Sequence, residues 1–166
     1  MKGDMRVSMP LWQMGSIVIL MVLVLMIGLS STFTAFDDGG FEFELQLQNG
    51  PAIVFGVFLI VFFLYMAIFY GFVAKHNKLF PEQKINILSI KPPEYMDDDE
   101  LFEEMTKRAT KKVYTYFVWA LPILAGFYIG APIGRTWMVL GILLLALGQY
   151  WIYYSTMRKF LKGEEE

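Results

Sequence analysis

The chain has no cysteine and a single histidine among its 166 residues. The first absence removes disulfides, thiolate metal ligands and cysteine nucleophiles, and with them any reading of redox compartment. The second leaves His76 as the sole imidazole, at the edge of an apolar run with no carboxylate or nucleophile beside it, so it reads as a boundary residue and not as a general base. There is no HExxH sequence, no phosphate-binding glycine loop and no pair of aspartates inside an apolar run. Charge of either sign is missing from the middle of every long apolar stretch. Proton- and ion-coupled transporters place ionisable groups there, so transport by this chain alone is not expected. With a formal net charge of −2 the chain also lacks the basic surface that nucleic acid requires. No enzyme activity, no cofactor and no metal are expected.

Apolar sequence, by contrast, is abundant: 56% of residues are hydrophobic and 17% aromatic. That exceeds the roughly half-apolar composition of soluble domains. Four runs carry it, at about 11–33, 52–74, 113–131 and 136–157. Each approaches the ~20 residues that a ~30 Å hydrocarbon core demands. The first run is longer than the roughly 7 to 15 residues of a signal-peptide core, and Phe33 stands where a cleavage site ending at Ala35 wants a small side chain, so it reads as an uncleaved span. The expected fold is therefore an all-α integral membrane protein, one domain over 1–166. Its four transmembrane helices form two antiparallel hairpins, the second closed by a tight turn at 131–135.

Charge sets the orientation. Of the 14 lysines and arginines, all but Arg135 fall in the N-terminal segment, the 75–112 loop and the C-terminal tail. The 34–51 loop holds Asp37, Asp38, Glu42 and Glu44 and no basic residue. The positive-inside rule then puts both termini and 75–112 in the cytoplasm, in the cell membrane, with 34–51 outside.

Two polar stretches stand out as candidate partner-binding surfaces. Asp97–Glu100 opens a helix expected from about Asp98 that runs without a break into the third span. Glu103 with Lys107 and Glu104 with Arg108 are i,i+4 pairs in the favourable order, and Leu101, Met105, Ala109, Val113 and Tyr116 share one face. The acidic cluster lacks the glycine turn of an EF-hand, and acidity at a helix N-terminus explains it without a metal. In the outer loop, Phe41 to Gln48 alternates strictly between apolar and polar, the pattern of one half-buried strand. Phe41 and Phe43 form its apolar face, set against the membrane surface or paired with a strand of another chain.

Within the spans, Gly126 and Gly130 are expected to pack against the fourth helix. Pro122 is expected to kink the third and leave a carbonyl for a neighbouring helix to satisfy. Gln149 is expected to bond Tyr116 or Trp119 across the hairpin. The segment Asp99-Glu100, followed by Arg108-Ala109-Thr110 just ahead of a span, resembles a group of small uncharacterised four-span membrane proteins of bacteria and archaea. That resemblance implies the span count and brings no activity with it. The functional expectation is a non-enzymatic accessory or regulatory subunit, in contact with the lipid bilayer and with a membrane-protein partner or further copies of itself. The alternative is the membrane subunit of a transporter, or a small oligomeric channel.

Overall fold

The computed structural model describes residues 5–35, 41–45, 49–81, 84–85 and 100–162. Its framework is four long helices: α1 (Met5–Ser30), α2 (Asn49–Leu79), α3 (Glu100–Gly130) and α4 (Arg135–Leu161). All four are long and apolar enough to cross a membrane. Every helix starts earlier than its apolar run, α3 by the most, and α2 and α4 outlast theirs. Hydropathy marks where apolar surroundings suit a helix, not where its hydrogen bonds stop. α2 therefore continues past Ala74 to Leu79, carrying Lys75 and Lys78, cations that favour a helix C-terminus.

α3 runs unbroken from Glu100 to Gly130 with Pro122 inside it. The first run ends sooner than expected. Residues 31–33, read as the end of a span, belong to a strand β1 (Ser31–Ala35) that pairs antiparallel with β2 (Phe41–Leu45). The register sets Phe33 opposite Phe43 and Ala35 opposite Phe41. Alternating Thr32 and Thr34 give this segment the β-branched content that suits a pleated ribbon better than a helix end. The strand expected at 41–48 thus finds its partner within the chain; residues 46–48 lie outside the described residues.

α1 lies between α2 and α4, and α3 packs on the far side of α4, giving the row α2, α1, α4, α3. The chain direction alternates along it. Trp12 meets Tyr65, Phe69 and Phe72 with ring centroids 5.1, 5.7 and 5.5 Å away, while Met9 clusters with Val73 further along α2. Tilted aromatic contacts of this kind contribute about 0.5–1.5 kcal/mol each beyond the area they bury. On α4, Thr136 sits against Gly28 of α1, and Met138 is bonded by Tyr128 while Thr106 reaches Tyr153. One end of the row therefore carries the start of α1, the end of α2, the start of α3 and the end of α4. We call it the basic end, and the opposite one, with β1, β2 and the 131–134 turn, the ribbon end.

Burial is distributed in an unusual way. Both buried clusters, Met9 with Phe69, Val73 and Ile85, and Met105 with Ala109 and Met157, lie at the basic end. The middles of the helices instead expose large apolar side chains, Phe63 at 64% and Ile123 at 68% among them. In water that arrangement would leave the hydrophobic effect unused where the apolar surface is greatest.

Candidate functional site

Three tyrosines fix the spacing of the helices by one repeated device. The Tyr65 hydroxyl lies over Gly15 and donates to the Trp12 carbonyl at 2.8 Å. Tyr128 lies over Gly141 and donates to the Met138 carbonyl at 2.7 Å. Tyr116 lies over Gly148 and donates to the Leu145 carbonyl at 3.4 Å. In every case the acceptor stands three residues before the glycine. Without a Cβ at the glycine, the phenol reaches a helix carbonyl that still has a free lone pair, so a polar tip is satisfied inside an apolar interface.

This device replaces the expected one. Gly126 and Gly130 do not pack against α4: a Cβ at either would meet nothing within 4 Å. They and Pro122 are exposed on α3, whose packed side belongs to Tyr116, Leu124 and Tyr128. α3 terminates the row, so no described helix covers its outer side. Gly141 and Gly148, spaced by seven on α4, hold the positions that close approach requires, and that heptad spacing was the available signal. Gln149 bonds neither Tyr116, whose hydroxyl is taken by Leu145, nor Trp119, which is 69% exposed. It lines a groove of about 380 Å³ between α3 and α4. A second groove of about 430 Å³ lies over α4 with α1 and α3 as its walls, and Tyr128 and Leu124 line both.

At the basic end α3 and α4 continue together as a two-helix stalk. Met105 and Ala109 are closed against Met157, with Tyr153, Phe160 and Leu161 around them, which uses the apolar face read from the sequence. Thr106 and Tyr153 share a hydrogen bond across the seam at 3.4 Å. The outward side carries Lys107 on Glu103 at 2.7 Å and Arg108 on Glu104 at 2.8 Å, all four more than 40% exposed. Arg108 also stacks its guanidinium 5.2 Å from the centre of the Phe160 ring, so its charge faces Glu104 while its plane covers apolar surface. Asp98 lies outside the described residues, as do the side chains of Phe41 and Phe43. The structure brings Glu103, Glu104, Lys107 and Arg108 onto one surface; Gly126, Gly130 and Pro122 share another, and Gln149 stands apart from both.

On the other half of this end, Asn77 clasps the backbone of Ile85 twice: its Nδ2 donates to the Ile85 carbonyl at 2.9 Å and its Oδ1 accepts from the Ile85 N–H at 2.7 Å. Next to it His76 is buried, its ring 5.1 Å from that of Phe80, and its Nε2 has no hydrogen-bond partner among the described residues. No three His, Cys, Asp or Glu side chains converge on a metal-sized site among the described residues. Comparison with known proteins brings in no relative: no family model, no curated protein and no solved structure matches this chain.

Proposed function

We propose that this chain is an integral membrane protein that crosses the bilayer four times as two antiparallel hairpins. In this reading the basic end and both termini lie in the cytoplasm and the ribbon end lies outside. The observation that carries it is the placing of the buried clusters. Lipid gives helices no hydrophobic reason to associate, so spans meet through small residues and interhelical hydrogen bonds, as Tyr65, Tyr116 and Tyr128 do over their glycines. Water restores that driving force, and the two apolar seams close where helices reach the basic end. The concentration of lysine and arginine at that end supports the cytoplasmic assignment.

The protein then works by contact and without catalysis, as an accessory or regulatory subunit. Its stalk has satisfied its own apolar seam and offers the Glu103, Glu104, Lys107 and Arg108 surface to a cytoplasmic protein, while the ribbon is available outside. Purification of the tagged chain from its native membrane in mild detergent, with mass spectrometry of every co-eluting chain, tests this. A foreign partner in fixed ratio, lost when Glu103 and Glu104 are both changed to Lys, is the expected result. Elution with no foreign chain, together with ion conductance in liposomes, would instead establish the channel reading, which the position of Gln149 on an apolar groove favours.

A further inference from the structure

His76 occupies an apolar position of α2. Residues three and four apart share a helix face, so His76 continues the stripe of Phe69 and Val73, one turn nearer the basic end. Those two are buried with Met9 of α1 and with Ile85, on the segment that returns over the end of α2. His76 itself is 8% exposed, its Nε2 meets no hydrogen-bond partner among the described residues, and its ring lies 5.1 Å from that of Phe80. An apolar side chain would leave no polar atom orphaned in such a site. A neutral imidazole leaves one nitrogen without water or partner, and a charged imidazole would be far more costly to hold there.

The surrounding charges sharpen the contrast. Lys75 and Lys78 on α2 and Lys84 on the return are exposed, and Arg6 stands one turn before Met9 on α1. Among the described residues, neither α1, α2 nor the return brings a carboxylate to pair with an imidazolium. Histidine side chains change charge between about pH 5 and 8. A proton on His76 would stand unpaired among cations unless the site opened to water. The return is the part that can give way. Trp12 joins α1 to α2 through Tyr65, Phe69 and Phe72, whereas Asn77 and the Ile85 side chain hold the return. Asn77 adjoins His76, so the last turn of α2 cannot rearrange around the ring without moving that clasp.

We infer that His76 is a proton-operated latch: neutral, it lies closed in the apolar seam with Ile85 docked; protonated, it moves into water and the return is released at the basic end. The closed state holds no proton on His76 and the open state does, so falling pH favours opening. The inference rests on the burial of His76 and the Asn77 clasp, and it holds whether or not the helices span a bilayer.

With no native cysteine, a nitroxide can be placed at Lys84→Cys alone and its mobility followed by electron paramagnetic resonance. The full chain in mild-detergent micelles is titrated from about pH 8 to about pH 5. The mobile fraction should rise as pH falls, by no more than about tenfold per pH unit, the limit for one proton. Far-UV circular dichroism should stay constant, because only the return moves. His76→Phe should keep the return docked throughout and remove the response. Should that variant fail to fold, His76→Gln, which cannot take up the proton, should show a mobile fraction that does not change with pH. Glu82→Gln, which removes the one carboxylate between Phe80 and Ile85, should leave the response in place. A label that stays immobile in acid, a response that survives His76→Phe or His76→Gln, one that disappears in Glu82→Gln, or a parallel loss of helix would each overturn the inference.

Discussion

Gly141→Ala is the sharpest perturbation of the helix contacts. A Cβ there would overlap the Tyr128 hydroxyl and lie 2.9 Å from its Cζ and 3.3 Å from Leu124 Cδ1. The ring end is rigid, so either α3 withdraws from α4 or the ring swings out and loses its 2.7 Å bond to the Met138 carbonyl. Overpacking costs about 1–3 kcal/mol and a lost interhelical hydrogen bond about 0.6–1.7, together about 2–4 kcal/mol. Alanine recovers about 0.5–1 kcal/mol over glycine inside any helix, which would blur the measurement. Gly126→Ala removes that ambiguity, because its Cβ enters open space. The difference between the two variants in an equilibrium SDS titration in mixed micelles, followed by far-UV circular dichroism, should be about 2–4 kcal/mol. In a Tyr128→Phe background the penalty of Gly141→Ala should fall by about 1 kcal/mol, since the oxygen that clashes is gone. Equal stabilities for Gly141→Ala and Gly126→Ala would refute the tyrosine-over-glycine contact.

Asn77→Ala removes both bonds to the Ile85 backbone, a local loss of about 1–3 kcal/mol, and should speed tryptic cleavage after Lys84; an unchanged rate would mean that Asn77 does not hold this segment. Ala109→Pro falls in the unbroken helix α3 at a fully buried position of the stalk, and should cost at least about 3 kcal/mol with loss of helical signal. Glu104→Ala breaks a pair that is about half exposed, so stability should change by less than about 0.5 kcal/mol and not at all in high salt. A loss above 1 kcal/mol there would show that Glu104 holds more than Arg108.

The four runs were legible because nothing charged interrupts them, and the alternating charge of the loops was readable for the same reason. The continuous α3 and its ion pairs are local features, set by residues four apart, and they follow from sequence directly. Helix ends were less legible. α2 continues past Ala74 because Lys75 to Lys78 suit a helix C-terminus, although they are poor company for lipid. β1 was hidden inside an apolar run whose two threonines carry the strand signal. The packing glycines could not be read at all without the order of the helices. A small-residue motif at Gly126 and Gly130 describes what a face permits, while the row α2, α1, α4, α3 determines which faces meet. Gln149 was expected to find its partner on the facing helix, but its neighbour Tyr116 is occupied by the carbonyl that Gly148 uncovers.

The most direct test of the account is the sidedness of four single cysteines, Asp38→Cys, Lys84→Cys, Gly134→Cys and Lys159→Cys, each labelled in intact cells with a membrane-impermeant maleimide. Four spans with cytoplasmic termini predict labelling of positions 38 and 134 at once, and of 84 and 159 only after the membrane is permeabilised. Labelling of positions 38 and 84 from the same side, or of all four in intact cells, would contradict it.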